Sequence, residues 1–244
     1  MMQRLADVIK MLKAMKKIRN NPAAMHYFSQ LKNLGQAMEK LYLVDSCRAC
    51  SNAVVPVQRT ARELEQVAST LDFGTELKAK LPGRPLFHHV FKISVSGCPN
   101  SCSQPQIKDF GLQGRARVVE SPGACTWCAA CVDACPDGAV DLSKEGPVLD
   151  EEKCLLCGRC ARACPSEALV VKERGYTVLL GGKLGRHPRL ARRFLTLAGE
   201  AECCQALDAV MEFYLRHGDG EQRLGSLLEE HWRDFQELWA EVSK

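Results

Sequence analysis

One duplicated pattern constrains this chain more than anything else in it. Cys125-x2-Cys128-x2-Cys131-x3-Cys135-Pro136 recurs as Cys154-x2-Cys157-x2-Cys160-x3-Cys164-Pro165. The residues after each proline correspond as well, Asp-Gly-Ala-Val at 137–140 against Ser-Glu-Ala-Leu at 166–169. These eight thiols belong to a total of 14 in 244 residues. The opening MMQRLADVIKMLKAMKK sets a Lys or Arg every few residues, with no apolar leader run and no stretch fit to span a membrane. A cytoplasmic location is therefore expected, and in a reducing compartment so many cysteines read as metal ligands rather than disulfides. A composition of 46% hydrophobic and 25% charged residues excludes fibrous and disordered classes. With aromatics at 6%, the core must come mainly from Leu, Val, Ala and Met. A net charge of +4, without interleaved aromatic and basic residues, argues against a nucleic-acid partner.

Over about 50 residues the repeat resembles the two-cluster bacterial ferredoxins. A cubane cluster takes four thiolates at the corners of a tetrahedron. In that family three come from one tight loop and the fourth, before Pro, crosses to the other cluster. The resemblance implies one [4Fe–4S] cluster on Cys125, Cys128, Cys131 and Cys164, and a second on Cys154, Cys157, Cys160 and Cys135. Zinc is the competing reading, but zinc sites usually pair two Cys-x2-Cys units and ask for neither a third cysteine nor the proline. The implied function is one-electron transfer. Eight acidic against five basic residues in 121–172 give this module only a mild negative charge.

Along the rest of the chain, apolar residues from Leu5 to Ile18 recur at helical spacing over 1–20, opposite a row of lysines. This basic helix suits packing on a partner subunit or on the chain's own core, with an anionic membrane surface as the alternative. After Asn21-Pro22 a second helix is expected over 23–43, and a third over Thr60–Leu71. Leu81–Pro85 is a linker by its Pro and Gly. Strands are expected at Val90–Val95, near Phe110–Leu112, at Ala116–Val119 and at Tyr176–Leu180. From Arg189 onward the chain reads as three helical segments split near Gly199 and Gly218–Gly220. Cys203 and Cys204 read as structural thiols, and Trp232 and Trp239 as packing residues.

A second thiol motif, Ser96-Gly-Cys98-Pro-Asn-Ser-Cys102, follows a predicted strand. Cys98 and Cys102 could join Cys47 and Cys50 around one metal centre. The plainer reading is a pair of buried structural thiols, although the flanking Gly and Pro suggest backbone shaped around a group. VSGCPNSC followed by KDFGLQG, together with GYTVLLGGKLGRHPRLA (Gly175–Ala191), resembles the siroheme-containing sulfite and nitrite reductases. A ferredoxin module between these stretches is the arrangement of dissimilatory and anaerobic sulfite reductase subunits. The resemblance covers about residues 47–213. It implies a third [4Fe–4S] cluster on Cys47, Cys50, Cys98 and Cys102, with Cys102 bridging to siroheme iron, where sulfite or nitrite would bind and be reduced by electrons from the ferredoxin clusters.

Two departures stand out. The family's first pair is usually Cys-x5-Cys, whereas here it is Cys47-x2-Cys50, so the loop geometry must differ. About 45 helical residues replace an α/β half-repeat that, here or in a partner subunit, supplies much of the cationic set for sulfite and the siroheme carboxylates. Residues 174–193 carry Arg174, Lys183, Arg186, Arg189, Arg192 and Arg193 with no acid. Gly181, Gly182, Lys183 and Arg186, with Cys102, are the expected cofactor-binding set; a solvated basic face is the alternative. Lys92, Lys108, Arg115 and Arg117 flank the Cys-x3-Cys loop, and His88, His89 and His187 carry no assigned role.

The expected fold is α+β, a small mixed sheet of sulfite-reductase type with an inserted ferredoxin domain and helical ends. The expected division is a helical segment 1–45, a discontinuous reductase-like domain 46–120 and 173–244, and a two-cluster domain 121–172. Two functional readings remain. In the first, the chain is a siroheme sulfite or nitrite reductase subunit, working with other redox subunits or as a homo-oligomer and fed by an electron-donor protein. In the second, it is a siroheme-free electron-transfer subunit of a larger redox complex.

Overall fold

The computed structural model describes residues 35–48, 50–121 and 125–243. The expected basic helix over 1–20 lies outside them. Residues 35–40 are helical, but the chain then turns into strand β1 (Tyr42–Ser46) rather than continuing the helix to 43. Tyr, Leu and Val in succession favour an extended, half-buried strand over a helix terminus. A ten-residue loop carrying Cys47 and Cys50 leads to α1 (Val57–Thr70), which buries Val57, Thr60, Leu64 and Ala68 at helical spacing. A short α2 (Phe73–Lys80), which the hydrophobic pattern does not announce, buries only Phe73 and Leu77.

Strand β2 (Phe91–Ser96) pairs with β1 in parallel, Ser46 opposite Val95, across the α1–α2 crossover. Strand β3 (Phe110–Glu120) is also parallel to β2, with Ser96 opposite Gln113. Parallel neighbours need a crossover of a dozen or more residues, usually helical. Here residues 97–109 make it with the Cys98–Cys102 loop and a single 3-10 turn, Pro105–Ile107. Phe110–Leu112 and Ala116–Val119 are thus one strand and not two. Gly114 reads as an interruption in the sequence, but in the sheet it is a point of close backbone approach.

Beyond β3 come α3 (Ala130–Asp133), the hairpin β4 (Val140–Ser143) with β5 (Gly146–Leu149), and α4 (Arg159–Ala163). Strand β6 (Leu169–Leu180) then returns antiparallel along the whole of β3. It is continuous across residue 173, so the thiol-rich region hangs from two shared strands and not from linkers. Strand β7 (Arg192–Ala198) pairs antiparallel with β6 and closes a five-stranded mixed sheet in the order β1-β2-β3-β6-β7. Helix was expected here. The run Arg-Arg-Phe-Leu-Thr-Leu-Ala sits as a sheet edge, and helix resumes only after Gly199 as α5 (Glu200–His217), α6 (Leu224–Glu230) and α7 (Trp232–Val242).

Two apolar cores result. The larger joins sheet residues such as Ile93, Phe110, Leu112 and Tyr176 to α1 and α5–α7, through Leu64, Met211, Phe213 and Phe235. The smaller contains Val118, Val140 and Leu169 with Cys131 and Cys160. Trp232 and Trp239 pack on the large core as expected. Cys203 is buried at the start of α5 and its thiol points at the Ala198 carbonyl. Among the described residues no helix is long and apolar enough to cross a membrane.

One buried ion pair ties the sheet to the C-terminal helices. The Asp109 carboxylate, 2% exposed, accepts from Arg223 Nε at 3.1 Å and from Nη2 at 2.7 and 2.6 Å, and from the Lys92 backbone N–H at 2.9 Å. Removing one partner of such a pair strands the other charge. Asp109→Ala is expected to cost about 3–5 kcal/mol, read as a lowered unfolding midpoint of the anaerobic protein, while Arg223→Lys costs less.

Candidate metal centres

The two cysteine repeats fold alike. Trp127 and Ala129 in the first, and Leu156 and Gly158 in the second, hold left-handed backbone with φ of 55° to 67°. Left-handed residues at these positions curl each loop inward, so that backbone N–H groups face sulfur. Trp127 N–H points at Cys125 Sγ at 3.4 Å, and Ala139 N–H at Cys135 Sγ at 3.2 Å. The third cysteine of each repeat, Cys131 or Cys160, sits on the short helix that follows and is buried.

The sulfurs divide across the repeats. Cys131 has Cys164 and Cys125 as electrostatic neighbours, whereas Cys160 has Cys157, Cys154 and Cys135. The third cysteine of each repeat thus has one cysteine of the other repeat beside it. Burial, then the neighbouring thiols, pushes the Cys160 thiol up to about 11, and burial also raises Cys131. At Cys164 burial acts upward but is outweighed by hydrogen bonds from the Leu169, Ser166 and Ala168 backbone and the Ser166 hydroxyl, so the thiol is lowered. Four soft sulfurs in a pocket lined with N–H donors form a donor set suited to an iron–sulfur cluster.

The second thiol group forms where the parallel strands end. Cys47 follows β1 and its N–H donates to Val95 O at 2.9 Å; Gly97-Cys98 follows β2, and Gly97 N–H reaches Cys47 Sγ at 3.2 Å. Carboxyl ends of parallel strands are where open α/β sheets place ligands. Cys47, Cys50, Cys98 and Cys102 line one cavity of about 410 Å³, together with Arg48, Asn52 and Asn100. Cys98 is 7% exposed and its thiol is raised, chiefly by burial, with Cys50, Cys102 and Cys47 beside it; Cys102 lies exposed at the rim. The loop is pinned by Ser103, whose hydroxyl meets Ser96 Oγ at 2.7 Å and Val95 O at 2.9 Å.

Glycine makes this stacking feasible. A Cβ on Gly97 would lie 2.6 Å from Val57 Cγ2, and one on Gly114 would lie 2.4 Å from the Gly97 carbonyl oxygen. Strand β3 also touches the second cysteine repeat. Ala116 N–H donates to Leu156 O at 2.6 Å, Ala116 bridges to Cys157, and Gly158 packs against Ala116 and Val54. The Cys154–Cys160 loop therefore lies against β3 and the loop that carries Cys50. The Cys125 loop faces the β4–β5 hairpin instead, with Trp127 half-exposed and its Nε1–H on Ser143 O at 3.0 Å.

The basic loop is built differently from expectation. Gly181, at φ 77°, packs on Gly225, and a Cβ on Gly182 would meet Gln106 O at 2.5 Å. Lys183 Nζ donates to Ser226 Oγ at 3.2 Å; Arg189 donates to Gly225 O at 2.8 Å and pairs with Glu229; Arg192 lies over the Trp232 ring at 3.9 Å. These cations dock the loop on α6 and α7, and Arg186 remains in solvent. His89 is held by accepting the Leu86 N–H, and burial lowers it. Sequence reasoning passed over Arg48, whose charge inside Cys47-x2-Cys50 was the available signal. It also passed over Gln113, which shares a strand face with Arg115 by its spacing of two.

Residues 42–243 match the family described as nitrite and sulphite reductase 4Fe-4S domain, and the chain belongs to it. It is thus an iron–sulfur oxidoreductase domain of the sulfite and nitrite reductase type. It is 40% identical over 133 residues to the coenzyme F420-dependent sulfite reductase of Methanocaldococcus jannaschii, across 54% of this chain and 21% of that protein. An uncharacterised ferredoxin of the same archaeon is 40% identical over 48 residues, 20% of this chain and 73% of its own length. The solved dissimilatory sulfite reductase I shares the fold with a TM-score of 0.55 at 19% identity, over 81% of this chain and 51% of that one. The chain spans about a fifth of the first reductase and about half of the second.

Proposed function

We propose that this chain is the iron–sulfur core of a sulfite or nitrite reductase. It would carry electrons through two ferredoxin-type [4Fe–4S] clusters into a third on Cys47, Cys50, Cys98 and Cys102. The observation that carries this reading is the convergence of those four thiols on one cavity, with the Cys154–Cys157 loop bonded to β3 beside it. The cluster on Cys125, Cys128, Cys131 and Cys164, next to the half-exposed Trp127, is the natural point of entry for a donor protein. The cluster on Cys154, Cys157, Cys160 and Cys135 then relays the electron inward. The two-cluster segment 121–172 would act as an insertion in the reductase-like domain formed by 46–120 and 173–244, preceded by the segment 1–45.

Siroheme would find a thiol and a cation at this site. Cys102, exposed in the lining of the cavity, would be the thiol available to a second metal, and Arg48 lines the same cavity with a positive charge for an anion. Bound there, siroheme would supply an iron with an open position for sulfite or nitrite. Arg48 would attract the anionic substrate, and Cys98, buried beneath, would keep the cluster side dry. Among the earlier candidates, Arg186 is exposed but would have to reach the cavity from a loop none of whose residues line it, Lys183 would have to leave Ser226, and Gly181 and Gly182 serve as packing positions. The remaining cations would come from another redox subunit or a second copy.

The engagement of Lys183 and Arg189 by α6 favours a second reading, a siroheme-free electron-transfer subunit of a larger complex. An iron, sulfide and tetrapyrrole assay on anaerobically purified protein separates the two. Both expect about twelve iron atoms per chain, and only the first expects an isobacteriochlorin absorbance band. About eight iron atoms would remove the third cluster from either reading. The double variant Cys50→Ala/Cys98→Ala is expected to lose about four iron atoms and keep about eight. Gly114→Ala, which pushes β3 off the Gly97 carbonyl, is expected to lose the same four.

A further inference from the structure

Arg115 is a buried cation, 8% exposed, midway along β3. Its Nε donates to Thr177 Oγ1 at 3.1 Å, one Nη donates to Leu155 O, and the other donates to Gln113 Oε1. Gln113 Nε2 in turn donates to Pro99 O at 3.1 Å and to Ser101 Oγ. Two side chains on one face of β3 thus make a continuous run of hydrogen bonds from the Cys98–Cys102 loop to the Cys154–Cys157 loop. Every bonding partner of Arg115 is neutral. The charged and ionisable groups facing it are Arg193 and the thiols of Cys154 and Cys157.

A guanidinium buried among neutral partners and beside a second arginine is unfavourable unless a negative charge lies close. Thiolates at Cys154 and Cys157, with the net negative cluster they would hold, supply it. A fixed cation beside a cluster favours the more negative, reduced state, and net charge and hydrogen bonding are what set such potentials. The first repeat lacks an equivalent arrangement among the described contacts, since its loop meets Ser143 and Gly146 of the β4–β5 hairpin.

We propose that Arg115 is a positioning residue that sets the direction of electron flow: its charge raises the reduction potential of the cluster on Cys154, Cys157, Cys160 and Cys135 above that of its twin, and its bridge through Gln113 fixes that loop against the Cys98–Cys102 site. The inference rests on the two-cluster reading above. In each transfer one electron leaves the outer cluster and enters the inner one, with no bond made or broken, and a donor protein re-reduces the outer cluster.

The test is an anaerobic redox titration of the full chain, followed by electron paramagnetic resonance, on the wild type and four variants. Arg115→Gln and Arg115→Met are both made, so that one failing to fold leaves the other. In either, one ferredoxin-type signal is expected to move to lower potential by at least a tenfold change in its one-electron equilibrium, 59 mV, while the other moves less. Arg115→Lys, which keeps the charge, restores most of the shift. Gln113→Leu, which cuts the bridge and keeps the charge, leaves both potentials within tenfold. Equal movement of both signals, no movement in the neutral variants, or a Gln113→Leu shift as large as theirs would overturn the proposal. A wild type without two ferredoxin-type clusters would instead overturn the reading beneath it.

Discussion

The pairing of β3 with β6 holds the molecule together. Its inner half, Phe110 opposite Leu180 and Leu112 opposite Val178, belongs to the large core beneath α1 and α5. Its outer half, Val118 opposite Val171 and Glu120 opposite Leu169, belongs to the small core that contains Cys131 and Cys160. Neither end could shift register without the other. A slip of one residue exchanges the faces of every side chain on the strand, so it would move Gln113 and Arg115 off the thiol side together. The bulge between Arg117 and Val118 falls where the two cores meet, and it lets the outer half turn toward the cysteine repeats.

On this frame the four-thiol cavity follows from parallel pairing. Because β1 and β2 run the same way with Ser46 beside Val95, their carboxyl ends finish together, and the cysteines that follow, Cys47 directly and Cys98 after Gly97, are delivered to one edge. Had the strands been antiparallel, the two cysteine pairs would lie at opposite ends. The crossover to β3 is too short to hold a helix of useful length and is stiffened instead by Ser103 and by left-handed Ser101 and Gln104. Residues placed in this way lose little freedom when a rigid cofactor is bound, which is the condition for tight and specific ligation.

Much of this could be read from the sequence because thiol spacing and strand alternation are local signals. The two repeats, the Cys98–Cys102 loop and the strand before it all depend on residues a few positions apart. What escaped was set by distant partners. Strand β7 looked helical because its value as a strand lies in pairing with β6, and the run Arg192-Arg193-Phe194-Leu195 has no clean alternation of its own. Gly181 and Gly182 looked like an anion cradle because glycine signals only close approach. That Gly225 and the Gln106 carbonyl approach these glycines is decided 40 or more residues later or 70 earlier in the chain. Arg189 and Lys183 likewise meet Glu229 and Ser226, which lie on a helix whose position the loop's own sequence does not encode.

The two cysteine repeats also show how nearly equivalent sequences acquire unequal surroundings. Their left-handed positions correspond, with Trp127 and Ala129 mirrored by Leu156 and Gly158. Their surroundings do not match. Gly158, at φ 67°, has Ala116 and Val54 close against it, so that a Cβ there would lie 3.2 Å from Ala116 Cβ and 3.7 Å from Val54 Cγ1. One repeat therefore faces protein and the other faces a hairpin and solvent. Cys131 and Cys160 are alike buried, at 6% and 7% exposure, and burial raises both thiols. A low dielectric by itself disfavours added negative charge, so an inner site that is to accept electrons needs a compensating cation nearby. Position along β3 decides which repeat has one.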